Sequence, residues 1–578
     1  MDRTQVLLWC ARVNEKLSEQ LAPPELAKLN PFERFRRRQQ VLVRHFFNPE
    51  QVEKINAFFR KEAAKQKTAI VSVPMLPTVF FRGQVLELLR WVCVFCPDIP
   101  DTYFDIPEDR TPLAKALLIA GTLWNRRIYQ RAASAPAEPS QGVGRLLVTF
   151  RIGRDQDASA LDLTRALARG LKIFSDLLPA HYAKYTKRDF NNDFLSVTGL
   201  TIKQYYDCWT AVMMPVITNA AKSALDLFAG PYFNPKTFCP PNAPELQALF
   251  PKFIALKSQT SDELKSALLK GRKPEEIDPL EPYSVRPLMP RPILRLTEEL
   301  ALVPDLDCLA QSAMLGPLFH VLSSGAALNE VFGAFGESFH EYCGSILKGM
   351  FPAGSVLADR VLCPFLDTNK NEIADAYVDY GDAAVLSEIK SVFVDKAAEG
   401  ANPDTYLSEL DGKYISGKER DQALVQLANG IISLAEGSRV PSGLTAEQLK
   451  QLKLILPVVL VRDPLMDAPL HSRYLAEEFA NALAPDDITG NNMKKGRFFV
   501  TPLTVMSIET LEDLESAKTD LRSVIVDYSA ACPDRVLSLR NYLAISEYQD
   551  KIRYSERLRE ETSQQLERLK SYFAPIGS

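Results

Sequence analysis

One short segment carries the residues best suited to handling a phosphate. It is IADAYVDYGDAAVLSEIKS, residues 373–391, with Asp375, Glu388 and Lys390 in it. Gly381-Asp382 is a two-residue hairpin signal between runs of strand-type residues. Antiparallel pairing around it joins residues whose numbers sum to 763, so Asp375 is expected opposite Glu388. Opposed side chains share one sheet face with Cβ atoms about 4.5–5.5 Å apart. Period-two alternation adds Lys390 to the face of Glu388. Two carboxylates this close repel unless a positive charge lies with them. Such a patch suits a hard divalent cation, which takes carboxylate, water and phosphate oxygens. A neighbouring lysine can orient the attacking water and offset phosphate charge. The plainer alternative is a hairpin whose charged residues face solvent. Glu263-Leu-Lys265 and Asp411-Gly-Lys413 repeat the acid-x-Lys spacing but stand outside any alternating apolar strand. Asp379 shares the Asp375 face, but at the turn its expected role is local hydrogen bonding.

The elements around this segment follow an α/β order. A helix is expected over about 326–348. The β-type stretches SVLADRVLCPF and NEIADAYVDYGDAAVLSEIKSVFV follow, then the helix RDQALVQLANGIISLAEG. LKLILPVVLVRD reads as a buried strand in which Pro457 implies a bulge or an edge position. The helix HSRYLAEEFANAL and the strand GRFFVTPLTVMSI come next, and a charge-rich helical tail closes the chain.

This arrangement resembles the PD-(D/E)XK, or restriction-endonuclease-like, nuclease superfamily over about 330–510. That core is a helix, a three-stranded meander bearing Asp and Glu-x-Lys, then helix, strand and helix. Ala374 stands where the superfamily's name has proline. The resemblance implies a mixed sheet flanked by helices, Mg²⁺ (with Mn²⁺ as a substitute) held by Asp375 and Glu388, and Lys390 assisting the water. Family members often carry a glutamate on the first core helix. In GESFHEYCGSILKG it aligns best with Glu341, although His340 separates that residue from Phe339, and Glu337 one turn earlier is the fallback. Glu341 is thus expected as a further metal ligand or a water-orienting group. A glutamine often faces the site from the helix after the meander, which here points to Gln426, with Lys418 and Arg420 upstream as nucleic-acid contacts. The implied activity is phosphodiester hydrolysis, on DNA more often than RNA and as an endonuclease rather than an exonuclease. By analogy, a stand-alone multidomain nuclease resembles effectors of bacterial anti-phage defence. The alternative is a catalytically silent nuclease-like module that binds nucleic acid or assembles with a partner. The intact Asp375, Glu388 and Lys390 argue against it.

The rest of the chain sets bounds. Its 578 residues suggest roughly three or four domains. The expected divisions are a helical, partly basic region at 1–131, a flexible connection at 132–144 and a helical region at 145–290 that ends in a proline-rich segment. A nuclease-like domain at 291–530 and a helical extension at 531–578 complete them. The fold class expected is multidomain, mainly α in the N-terminal half and α/β after it. Nine scattered cysteines exclude a disulfide framework and fit a reducing, cytoplasmic setting. Five histidines argue against a histidine-rich metal cluster, and His320, His340 and His471 have no nucleophile motif beside them. The apolar runs at 85–96 and 116–124 are too short to span a membrane, and the first contains Glu87 and Arg90. Gly412 to Glu419 imitates a phosphate-binding loop but has Glu419 where Ser or Thr must bind Mg²⁺. Cys93 and Cys96 lack a second ligand pair.

The net charge is -4, so nucleic-acid binding requires a local basic surface. Residues 30–67 supply one with a net charge of +6, including Arg36, Arg37 and Arg38. A helix with a basic face could equally meet a partner protein or a second copy. If it meets nucleic acid, replacing these three arginines with alanine weakens binding. It also lowers the slope of log affinity against log salt by roughly 0.9 for each phosphate that is no longer neutralised. Titrations at several salt concentrations check this, and an unchanged slope assigns the patch to another partner.

Overall fold

The computed structural model describes residues 82–96, 111–133, 163–222, 232–236, 244–277, 286–351, 360–394, 403–415, 422–535, 537–549 and 555–573, with a few isolated positions before 82 and at 147. The chain is helical at first, then builds mixed sheets with helices in its C-terminal half, and is mixed α/β overall. Helical positions also occur before 82; from there on, the helices among the described residues begin with α1 (Arg82–Phe95), α2 (Thr111–Ala133) and α3 (Leu163–Leu171). A π-helical segment, Lys172–Leu177, leads into α4 (Leu178–Thr186), followed by α5 (Phe190–Thr198) and α6 (Ile202–Lys222).

The proline-rich segment, expected to close a helical region, contributes to a small sheet. β1 (Tyr232–Phe233), β2 (Ser258–Thr260), β3 (Ile293–Arg295) and β4 (Ala301–Leu302) pair in the order β1-β4-β3-β2. These strands are two or three residues long and fit between the prolines, so no ladder donor is lost within them. Helices α7 (Pro244–Lys257) and α8 (Ser261–Leu269) flank β2.

Helix α9 (Leu306–Leu322) precedes α10 (Leu328–Gly349), which buries Val331, Phe335, Phe339, Tyr342 and Ile346 at helical spacing. The main sheet then begins. Its strands are β5 (Val361–Leu362), β8 (Ala376–Asp379), β9 (Ala383–Lys390), β10 (Leu454–Val461), β11 (Asp487–Thr489), β12 (Asn492–Lys495), β13 (Phe498–Val500) and β14 (Thr504–Ser507). A side ribbon pairs β6 (Phe365–Leu366) with β7 (Glu372–Ala374). The main order is β11-β12-β13-β10-β9-β8-β5, with β14 also on β10. β5, β8 and β9 form an antiparallel meander, and β10 runs parallel to β9. The crossover between them carries α11 (Pro403–Tyr414), α12 (Ala423–Glu436) and α13 (Ala446–Gln451).

Pro457 lies in a central strand, not at an edge as its residue type implied. β10 pairs with β9 along its whole length, while its other side meets β13 first and β14 afterwards. The amides of Leu454 and Arg462 donate to the β9 side, so even-numbered residues point there and position 457 points the other way. It meets the break between β13 and β14, residues 501–503, where no ladder acceptor waits.

Both faces of the sheet are covered. Val385, Ile389, Val458 and Leu460 join a core with α3, α6, α9, α10 and the later helices α15 (Ile508–Ala517), α16 (Leu521–Ala531) and α17 (Leu539–Ile545). Leu386, Ile455 and Val459 face a second core with α11, α12 and α14 (Pro469–Leu483). The first core runs from Ala166 to Tyr548, so the boundary expected near 290 is not a break in packing. Buried ions tie the same halves together. Arg169 bonds Glu509 and Glu512 at 2.8 Å, Arg165 bonds Asp513, and the Tyr342 hydroxyl donates to Glu512 at 2.8 Å. The last helix, α18 (Glu556–Phe573), follows. Among the described residues, no helix is long and apolar enough to cross a membrane.

Lys257 is buried with no carboxylate bonded to it among the described residues. Its ammonium lies 3.3 Å from Ser312 Oγ and within 6 Å of the Tyr205 and Trp209 rings. Burial brings its pKa from 10.5 down to about 7, and His320 beside it is lowered to about 3 by burial and by the Lys257 charge. Because the folded value lies below the unfolded one, the unfolded chain holds the extra proton between about pH 7 and 10.5. Stability is therefore lost as pH falls through that window and levels off below it. Lys257→Met should raise the melting temperature by several degrees at pH 7, with a smaller gain at pH 9.5. Thermal melts across this range check it.

Candidate metal centre

The Gly381-Asp382 turn sets the register of β8 against β9. Gly381 has φ +87°, and the Tyr380 amide donates to the Ala383 carbonyl at 2.9 Å, as in a hairpin turn with glycine at its first central position. Ala376 pairs with Ser387, Tyr377 with Leu386 and Val378 with Val385, which is the expected register. Asp375 lies at the bend just before β8, beside Glu388, and both are almost wholly buried. Asp379 serves the turn, accepting from the Gly381 amide at 2.7 Å.

Asp375 and Glu388 are joined by a third acid. One carboxylate oxygen each from Glu372, Asp375 and Glu388 lies within 4.8 Å of the others. The bend at Asp375 makes this convergence. β7 pairs with β6, while β8 pairs with β5 and β9, so strict alternation does not carry across position 375 and Glu372 comes round to the shared side. Asp375 Oδ2 accepts from the Ile389 amide at 2.7 Å, which fixes the carboxylate. Glu388 Oε2 accepts no hydrogen bond from a described residue, and Lys390 Nζ stands 3.4 Å from it. Burial, and then the charge of Asp375, push the Glu388 carboxyl well above its ordinary pKa. The same two causes raise Glu372.

Lys390 is held from the opposite side by Gln426, whose Oε1 accepts from Nζ at 3.3 Å. Helix α12 brings Gln426 there because it lies almost on the backbone of β7. A Cβ on Gly430 would come within 2.5 Å of the Ile373 carbonyl oxygen. Lys390 thus spans from the acids to the glutamine.

The first core helix contributes differently from the sequence expectation. Glu341 does not join the acids: its exposed carboxylate lies 2.8 Å from His181 Nε2 on α4. His340 takes the position facing the site, and one residue further along a helix turns about 100° away. His340 Nε2 lies 2.8 Å from the Ile389 carbonyl, and Nδ1 lies 3.5 Å from Asp375 Oδ1. A carbonyl only accepts, so Nε2 carries a proton, and Nδ1 faces the Asp375 carboxylate. Glu337 is one turn from Glu341. It is near enough to Glu372 to help raise its pKa, and it accepts from the Tyr185 hydroxyl at 3.0 Å.

Glu372 and His340 were both missed in the sequence. Glu372 has the wrong parity for a continuous strand, and His340 is an isolated histidine. The expected nucleic-acid residues Arg36, Arg37, Arg38, Lys418 and Arg420 lie outside the described residues.

Comparison with known proteins finds no matching family model, no similar curated protein and no similar solved structure. The site's chemistry is therefore read from its own atoms, and without metal its repulsion is measurable. Glu388 titrates above its ordinary value in the folded chain, so its contribution to stability is greatest at low pH and is lost as pH rises through the raised value. In EDTA, Glu388→Gln should melt higher than the parent protein at pH 8, and the difference should shrink toward pH 4.5. A variant that melts lower at pH 8 contradicts this electrostatic account.

Proposed function

We propose that the protein is a metal-dependent nuclease with a PD-(D/E)XK-type site that hydrolyses phosphodiester bonds, with DNA the favoured substrate. The observation that carries this reading is the convergence of Glu372, Asp375 and Glu388 with Lys390 at their edge. The topology supports it as well. A helix, an antiparallel meander bearing the acids and a parallel fourth strand is the core order of restriction-endonuclease-like folds.

The donor set fits a hard divalent cation. Three carboxylates supply oxygen ligands, and Glu388 Oε2 lacks a hydrogen bond from any described residue though buried. Both features are strained without a positive charge and relieved by one. Glu372, Asp375 and Glu388 would hold Mg²⁺ or Mn²⁺, with His340 beside them. When bound, the ion polarises a phosphate oxygen and lowers the pKa of a water.

The chain's own groups do the rest. Asp375, fixed by the Ile389 amide, keeps its orientation while substrate enters. Lys390 brings positive charge to the phosphate and donates hydrogen bonds to the attacking water, while Gln426 keeps its ammonium from collapsing onto Glu388. His340, anchored on the Ile389 carbonyl, fixes α10 against the end of β9.

Incubating purified protein with plasmid and with RNA, in Mg²⁺ or EDTA, tests the reading. Cleavage should require the metal and fall by at least about a hundredfold in Glu388→Gln and Lys390→Ala. Glu372→Gln should weaken Mn²⁺ binding in a calorimetric titration, whereas Glu341→Gln should leave it unchanged. Metal-independent cleavage, or a Glu388→Gln protein that cuts at the parent rate, overturns the assignment.

A further inference from the structure

Past the end of β9 three aromatic rings pack on one another, Phe319 exposed and Phe332 and Phe393 half-buried. Phe393 follows the end of β9, Phe332 lies two turns before His340 on α10, and Phe319 comes from the end of α9. Their centroids are 5.3 Å (Phe332–Phe393), 6.1 Å (Phe319–Phe393) and 6.5 Å (Phe319–Phe332) apart. Phe319 is 49% exposed. A lone exposed phenylalanine is ordinary, but three rings packed on one another form a surface.

The surface is also charged. The Arg462 guanidinium lies flat on Phe393, 3.9 Å from its centroid, and bonds the Ser391 and Val392 carbonyls. Rings with a fixed guanidinium among them suit a partner that is both flat and anionic, which a nucleobase with its phosphate is and an apolar protein face is not. The spacing fits as well. Phe332 is about 12 Å along α10 from His340, and Phe393 is about 10 Å along the chain from Lys390. At about 3.4 Å per stacked nucleotide this is a reach of roughly three nucleotides.

We propose that Phe319, Phe332 and Phe393, with Arg462, form a stacking platform for the unpaired bases of a single-stranded nucleic acid whose backbone continues to the acidic site. This rests on the nuclease reading for the direction of the strand, but not for the platform itself. Paired bases in a duplex stack on one another and present no free ring face to a side chain, so the platform selects single strands or frayed ends.

The test uses the full chain carrying Asp375→Asn, so that binding is read without cleavage. A fluorescent single strand and the matching blunt duplex are titrated by anisotropy. Phe319→Leu, which keeps the apolar surface but removes the ring, should weaken single-strand binding by roughly 5- to 150-fold. Phe319→Trp should retain it, and duplex affinity should not change. Because Phe319 is half exposed, both variants should melt like the parent. Unchanged single-strand affinity in Phe319→Leu, or an equal loss for the duplex, overturns the proposal. So does a change in oligomeric state by light scattering with no change in binding, since that makes the patch a protein interface. Cleavage by the Asp375-intact protein is scored separately. A protein that binds single strands through Phe319 but never cuts keeps the platform and loses the nuclease, whereas one that cuts with an indifferent Phe319 does the reverse.

Discussion

The mutual repulsion of three carboxylates in a largely buried corner is the constraint around which this half of the molecule is organised. Two of them, Asp375 and Glu388, are almost fully withdrawn from water, where like charges interact strongly. Nothing in the packing of a hairpin requires acids there, and leucine or valine would be more stable. The surroundings fix the acids and offset their charge only in part. One amide fixes Asp375, one lysine stands 3.4 Å from Glu388, and one imidazole places Nδ1 3.5 Å from Asp375. Such a corner suits an external cation, because a cation removes the cost that the chain leaves uncompensated.

Holding the corner open requires rigid neighbours, and these come from both halves of the sequence. β9 is paired on both sides and covered on both faces, so Glu388 and Lys390 project from fixed backbone. Helix α10 is pinned by Tyr342 on Glu512, which also receives Arg169 from α3. At the other end, Arg82 of α1 bonds Asp305, the cap of α9, through two hydrogen bonds of 2.7 Å. The N-terminal helices are thus built into the support of the site. Side chains of α4 touch its rim, His181 at Glu341 and Tyr185 at Glu337, so changes in the N-terminal region have a short physical route to the acids.

What could be read from the sequence was whatever depended on local geometry. A two-residue turn fixes a register, so Gly381-Asp382 was enough to place Asp375 beside Glu388 and to add Lys390. Gln426 was expected only from the family resemblance, not from local geometry, and α12 brings it to the lysine. Legibility ends where the chain departs from regular geometry. A bend at Asp375 resets the strand parity, which hid Glu372. A single step of helical phase separates His340 from Glu341, and whether residue 340 or 341 faces the sheet depends on packing between α10, α4 and β9. Pro457 sits in a central strand because two short strands share its outer side, which no local rule anticipates. The short strands between the prolines, and the core running across position 290, depend likewise on packing between residues distant in sequence.

Direct observation of the cation is the decisive measurement. Crystals grown with Mn²⁺ and measured at its absorption edge would show the ion by its anomalous scattering. The account predicts one strong peak within ligand distance of oxygens from Glu372, Asp375 and Glu388, with Glu341 still paired to His181. A peak elsewhere, or clear density for all three carboxylates with no peak between them at millimolar Mn²⁺, contradicts it.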